Sequence, residues 1–379
     1  MANCFKIVVA LTFAGSILVS CKSVVQQSEN EPRVIKTAFK DKFYIGVAVN
    51  RQQAVGKDAT GQNIIKQHFN SLSPENDLKW EKIHPKPEVY DFTAADAYVN
   101  FGTQNNMFTI GHTLVWHSQT PDWVFEDYKG KPLTREALLT RLEEHINTVV
   151  GRYKGKIKGW DVVNEALNED GTLRDSKWLK IIGEDFIAKA FEFAQKADPE
   201  AELYYNDYNL YKAEKRAGAV RIIKSLKGKG IKITAVGEQA HYSLAEPDIA
   251  TVEKTIIDFA ATGVAVNFTE LDINVLPDGG ATNTADVSNT AQYSEKYNPY
   301  VKGLPVNVID SLASRYGSLF RLFVKYDASI DRITFWGLTD GDSWLNDWPI
   351  RGRTNYPLLY NRDFTIKQPV KDAILKSLK

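Results

Sequence analysis

Two glutamates stand out by their surroundings. Glu165 directly follows Asn164 at the end of the run Trp160-Asp161-Val162-Val163, and Glu270 sits in the apolar stretch Val266-Asn267-Phe268-Thr269-Glu270-Leu271. A lone glutamate beside an apolar run is more often an ion-pair partner than a catalyst. The neighbours change that reading, because amides, hydroxyls and aromatic rings gather at the ends of the other apolar runs. These ends read Pro74-Glu75-Asn76-Asp77-Leu78-Lys79-Trp80, Gly111-His112-Thr113-Leu114-Val115-Trp116-His117-Ser118-Gln119, Asn206-Asp207-Tyr208-Asn209, Gly237-Glu238-Gln239-Ala240-His241 and Leu271-Asp272, with Trp336 and Trp344 further on. Two carboxyl groups suit hydrolysis of a glycosidic bond: one protonates the leaving oxygen while the other works on the opposite face of the sugar. Amides and hydroxyls can bind sugar hydroxyls, and tryptophans can cover sugar rings.

Other chemistries fit less well. Only 6 histidines occur, and His112 and His117 are spaced so that one strand face cannot hold both, so no metal set is expected. No Gly-rich loop followed by Lys-Ser or Lys-Thr opens a helix, which argues against a phosphate site. No cofactor is implied. The only cysteines are Cys4 and Cys21, which leaves the body without a disulfide framework, a thiolate zinc site or a cysteine nucleophile. Basic and acidic residues balance at 47 each, so nucleic acid is not the expected partner. A hydrophobic fraction of 43% with 25% charged residues is that of an ordinary globular chain and excludes disorder.

The elements that must position these residues alternate. Strands are predicted over 44–49, 69–73, 108–115, 157–163, 202–205, 233–236, 265–269 and 332–336, several as near-continuous apolar runs of the kind buried on both faces of a parallel sheet. Helices are predicted between them, among them 135–152, 185–196, 212–227 and 249–261, the last opened by Pro247-Asp248 and followed by Gly263. Alternation without a composition break describes an α/β fold, a single (β/α)8 TIM barrel over residues 39–379. The polar residues then lie at the C-terminal mouth of the strands, where such barrels carry their chemistry. Residues 276–306, rich in Gly, Asn, Thr and Ser, read as a long loop after the seventh strand.

The N-terminus reads as an address. Residues 1–20 hold Lys6, an apolar run from Ile7 and no acidic residue, the pattern of an export signal rather than a membrane span. Leu18-Val19-Ser20-Cys21 resembles the lipobox of bacterial lipoproteins, which implies a lipid on Cys21 and attachment to a bacterial membrane; the polar composition that follows reads as a tether over residues 21–38. An ordinary secretory signal with an incidental cysteine is the alternative.

The stretches Ser73 to Trp80, Gly111 to Gln119, Trp160 to Ala166 and Phe268 to Ile273, in this order, resemble family 10 glycoside hydrolases, the endo-β-1,4-xylanases. The resemblance runs from about Phe43 to the region of Trp344; Leu78 stands where the family more often has Met. It implies a retaining double displacement on xylan and xylo-oligosaccharides by a monomer; a chain of 379 residues is expected to leave no room for a separate carbohydrate-binding module. Glu270 is then the nucleophile and Glu165 the acid/base. Asn164 binds the sugar 2-hydroxyl, His241 paired with Asp272 orients Glu270, and Gln239 adds a polar contact. The resemblance assigns Glu75, Asn76, Lys79, His112 and Gln119 to sugar hydroxyls on the glycone side, with Trp336 and Trp344 as a wall. It places Trp116 as an apolar flank of Glu165, and Tyr208 and Asn209 on the aglycone side. Trp80, Trp123, Trp160, Trp178 and Trp348 are left to packing. The rival readings are a barrel hydrolase for another β-glycan, such as mixed-linkage glucan, and a surface glycan-binding lipoprotein without catalysis.

Overall fold

Apolar runs flanked by helices on one side and by one another on the other become parallel strands buried on both faces. In the computed structural model, which describes Met1, residues 34–277 and residues 291–379, all eight predicted strands form. They are β1 (Tyr44–Val49), β2 (Ser71–Pro74), β3 (Phe108–Trp116), β4 (Gly159–Asn164), β5 (Glu202–Asp207), β6 (Ala235–Glu238), β8 (Ala265–Asn274) and β9 (Arg332–Phe335), with a short extra strand, β7 (His241–Ser243). Each main strand pairs in parallel with the next. The ring closes where β6 meets β8 at Ala235 and Ala265, and where β9 meets β1 at Arg332 and Tyr44. This is the expected (β/α)8 barrel. The export signal, Cys21 and residues 278–290 of the long loop lie outside the described residues.

Several boundaries move for physical reasons. β8 extends past the predicted 269 because Leu271 and Ile273 continue its buried run, and both are fully buried. Glu270 and Asp272 therefore project from one strand on the same face. The sixth strand is interrupted: Ala240 adopts φ +62°, and the chain resumes as β7, which pairs with the outer end of β8 at His241 and Asp272. Residues 35–38, predicted as the end of a polar tether, are folded onto the body. Ile35–Ala38 is a helical turn, Ile35 and Phe39 are fully buried, and Phe39 stacks on Phe43 with centroids 5.2 Å apart.

Helices cover the outside. The helix Arg135–Arg152 has its predicted limits, with the Thr134 hydroxyl accepting from the Ala137 N–H; Asp248 caps the helix Ile249–Ala260 through the Thr251 N–H. A helix the sequence reading did not identify, Val306–Lys325, starts where the predicted loop ends and buries Leu312, Tyr316, Leu319, Phe320 and Phe323 against the barrel. The described end of that loop is tied down as well, since buried Asn298 accepts from the Thr354 N–H at 2.8 Å.

Candidate active site

Every residue assigned to the cleft from the sequence lines one cavity of about 1030 Å³ at the C-terminal ends of the strands. Most arrive on or just past a strand, while Trp344 opens the 3-10 turn Trp344–Asn346 beyond β9. β2 runs into Glu75, Asn76 and Lys79; β3 carries His112 and Trp116; β4 ends in Asn164 with Glu165 next. β5 leads into Tyr208 and Asn209, β6 into Gln239, β7 opens with His241, β8 carries Glu270 and Asp272, and β9 runs into Trp336.

Glu270 is buried and held from both sides. Its Oε1 accepts from the Asn206 amide at 2.9 Å, and its Oε2 lies 3.2 Å from His241 Nε2. Burial alone would raise its pKa. The His241 hydrogen bond, the electrostatic influence of the His112 and His241 rings and the Asn206 amide outweigh burial and hold the carboxyl below its ordinary range, so it stays ionised. His241 lies between two carboxylates, its Nδ1 standing 3.1 Å from Asp272 Oδ1 as an ion pair without good hydrogen-bond alignment. Burial pulls the imidazole down, but Asp272 and Glu270 together push it up to about 10. The ring is therefore an imidazolium, oriented by Asp272. Asp272 is fixed in turn by the Trp344 indole N–H, which donates to its Oδ2 at 2.8 Å.

Glu165 is also buried, and both of its oxygens accept. Gln239 Nε2 donates to Oε1 at 3.0 Å, and Trp116 Nε1 donates to Oε2 at 2.8 Å. The apolar flank predicted from Trp116 is thus corrected: the indole also supplies a hydrogen bond, because its N–H edge points at the carboxyl. Between the two glutamates runs a chain of amides. Asn164 Oδ1 accepts from Asn206 Nδ2 at 2.9 Å and from Gln239 Nε2 at 3.3 Å, which turns the Asn164 N–H₂ group away from both.

Asn206 is the central residue the sequence reading passed over. It donates to Asn164 and Glu270 and accepts from the Thr269 hydroxyl at 2.6 Å, fully buried. The signal was available: Asn206 follows Tyr204 by two residues on β5, which puts both on the inward face.

On one flank, buried Lys79 donates to Asn76 Oδ1 and Gln119 Oε1, each at 2.9 Å, and sits 4.9 Å from the centre of the Trp116 ring. Burial lowers its pKa, against the pull of Glu270, Glu75 and Glu165, while burial raises that of Glu75. His112 is fixed by Asp161 at 2.9 Å. On the other flank the Tyr208 hydroxyl accepts from Arg174 at 3.0 Å, and Asn209 donates to Glu169 at 3.2 Å. Trp344 stacks on Trp348 with centroids 4.9 Å apart and planes 17° from parallel. Trp348 is therefore corrected from packing to cleft wall. The Trp348 N–H donates to the Trp344 carbonyl one helical turn back, which brings the two rings to the same side. Trp80, Trp160 and Trp178 are buried as packing residues.

The chain matches the glycosyl hydrolase family 10 profile over residues 34–376. It is 45% identical to endo-1,4-beta-xylanase A of Xylanibacter ruminicola over 360 residues, which spans 95% of this chain and 96% of the relative. It is 43% identical to a beta-1,4-xylanase of Dictyoglomus thermophilum over 336 residues, 88% of each chain. Among solved structures, a GH10 endoxylanase retrieved from a sugarcane soil metagenome aligns with a TM-score of 0.88 at 44% identity, over 90% of this chain and 99% of that one. With the barrel, the paired glutamates and these relatives in agreement, the chain belongs to glycosyl hydrolase family 10.

Proposed function

We propose that the protein is a retaining endo-1,4-β-xylanase working as a monomer on xylan and xylo-oligosaccharides. One observation carries the reading: two buried glutamates share one cleft, one held ionised by an imidazolium, the other bound by an amide and an indole N–H. In the first step a Glu270 oxygen bonds to the anomeric carbon, the glycosidic C–O bond breaks, and Glu165 gives its proton to the leaving oxygen. In the second, Glu165 takes a proton from water as the water oxygen bonds to the same carbon and Glu270 leaves. Asn164 holds the sugar 2-hydroxyl with the amide N–H₂ that its neighbours leave free. Glu75, Asn76, Lys79, His112 and Gln119 bind the glycone hydroxyls, and Tyr208 and Asn209 face the leaving sugar.

The preference for xylose comes from a wall rather than from hydrogen bonds. Xylose and glucose share the ring hydroxyls those side chains bind, whereas glucose adds a hydroxymethyl group at C5. Trp344, pinned to Asp272 and backed by Trp348, cannot swing away from it. A matched pair of aryl xylobioside and aryl cellobioside tests this. Wild type should favour the xyloside about a hundredfold in kcat/KM. Trp344→Ala should slow both, since Asp272 loses its donor, while the ratio moves toward the glucoside. Equal values for wild type would reject the xylanase reading in favour of a general β-glycanase. The nucleophile is tested separately: a 2-fluoro-xylobioside should label Glu270, and peptide mapping that finds the label elsewhere overturns that role.

The sequence Leu18-Val19-Ser20-Cys21 supports a further part of the proposal. Residues 1–20 direct export, and Cys21 carries the lipid that attaches the enzyme to a bacterial membrane.

A further inference from the structure

Glu165 stands at φ +57°, a left-handed conformation that a glutamate rarely adopts, so the turn that carries it must be held from outside. The loop after β4 folds back to do so. Leu167 bridges Leu173 in antiparallel fashion, the Asn168 N–H donates to the Thr172 carbonyl at 2.9 Å, and the Arg174 N–H donates to the Ala166 carbonyl at 2.7 Å. That ladder lays the Arg174 side chain across the turn. Its Nε donates to the Glu165 carbonyl at 2.9 Å, and its Nη2 donates to the Leu167 carbonyl and to the Tyr208 hydroxyl, each at 3.0 Å. From beneath, Asp207 accepts from the Leu167 N–H at 3.4 Å and the Tyr208 N–H at 2.9 Å, and is neutralised by buried Lys215 at 2.9 Å. Arg174 is not among the residues lining the cleft. The nearest wall it touches is Tyr208, which stands on the side of the departing sugar.

We propose that Arg174 is a positioning residue for general acid/base catalysis: it fixes the Glu165 turn and ties it to the Tyr208 wall, so that the proton donor is aligned with the leaving oxygen. The inference rests on Glu165 being the acid/base. The guanidinium is a planar fork that presents several donors at fixed angles, so one side chain satisfies two main-chain carbonyls and a hydroxyl at once; an ammonium cannot copy that geometry. Without it the strained turn relaxes and the Glu165 carboxyl drifts. A displacement near 1 Å is enough to cost about a hundredfold when the displaced group must transfer a proton.

The role predicts dependence on the leaving group, which simple destabilisation does not. On phenyl xylobioside and xylotriose, whose leaving oxygens need a proton, Arg174→Ala should lower kcat/KM about a hundredfold. On 2,4-dinitrophenyl xylobioside, whose phenolate leaves unaided, kcat/KM should change by less than about threefold. There kcat and KM should fall together, because the second step still needs Glu165 as base. Arg174→Lys should lie between and show the same split, and it carries the comparison if the alanine variant does not fold. An equal loss on all leaving groups, or no loss on any, overturns the inference. Glu165→Ala serves as the reference. If it shows the split and Arg174→Ala does not, only the positioning role falls; if Glu165→Ala shows none, the acid/base assignment fails and the inference with it.

Discussion

The ionised state of Glu270 depends on a cation that only the fold creates. His241 is an ordinary histidine in the sequence; seated between Asp272 and Glu270, it is pushed up to about 10 against the opposing effect of burial. A pKa raised on folding links stability to pH in one direction. The contribution is fully present below the unfolded value near 6.5 and is lost as pH rises through about 10. Its size is on the order of a few kcal/mol. Urea unfolding of wild type and His241→Gln should therefore differ most near pH 6 and converge toward pH 10, and a gap that widens with pH would contradict the charged state. The same substitution removes the charge that helps hold Glu270 low, so the acid limb of kcat/KM should move to higher pH. Residue types and their place at the ends of apolar runs pointed to both glutamates, and the family resemblance pointed to His241 and Asp272; the structure brings all four into one cleft. Neither was enough for Asn206, Arg174 or the donor role of Trp116. Those roles depend on which edge of a side chain meets which atom, and such contacts join residues 42 and 64 positions apart in the chain, as in the Asn206 bonds to Asn164 and Glu270.

At the scale of elements, the cleft is exact only because adjacent strands pack with almost no spare volume. Gly237 on β6 shows how little there is. A Cβ there would stand 2.2 Å from Asn206 Oδ1 and 2.9 Å from Thr269 Cγ2. Asn206 could not yield without dragging the amide that binds Asn164 and Glu270. Gly237→Ala should cost about 1–3 kcal/mol of stability through overpacking. It should also lower kcat at least tenfold by shifting the Asn206 donor, with a smaller change in KM. Thermal unfolding and initial rates on xylotriose check both; a stable variant with normal kcat would mean that Asn206 does not set the geometry. The strands were legible because each is an apolar run bounded by turn residues. The break between β6 and β7 was not, since it turns on one alanine at positive φ. The helix Val306–Lys325 was obscured by its neighbour: a polar, Gly-rich stretch ran up to its first residue, and its buried face of Leu312, Tyr316, Leu319 and Phe323 carried a 3.6-residue period beyond it.

For the molecule as a whole, the question is where the catalytic body begins, and the core answers it. Ile35 and Phe39 are fully buried, and Phe39 packs on Phe43 and edge-on to Phe320, at 5.2 and 5.4 Å between centroids. These contacts join the first turn of the body to the helix that precedes the last barrel strand. Cutting before residue 34 leaves them intact; cutting after Phe39 removes two core side chains and exposes the surfaces they cover. A chain starting at residue 34 should therefore match the mature protein in Tm and in kcat/KM on soluble xylo-oligosaccharides, within about twofold. One starting at residue 40 should lose roughly 5 kcal/mol or more, a fall in Tm of about 10 °C or more. Among the described residues, none that lines the main cavity precedes Glu75, so anchoring and catalysis should separate cleanly. On the proposed anchor, two or more acyl chains at Cys21 should give stable membrane association where a single chain is marginal. Wild type should fractionate with membranes and Cys21→Ser should not be retained there, while both hydrolyse xylotriose equally well. A processed wild-type chain found soluble with a free thiol at Cys21 would refute the anchor. Were the residue-34 chain to melt well below the mature enzyme, the start of the body would have to be moved into the segment before it.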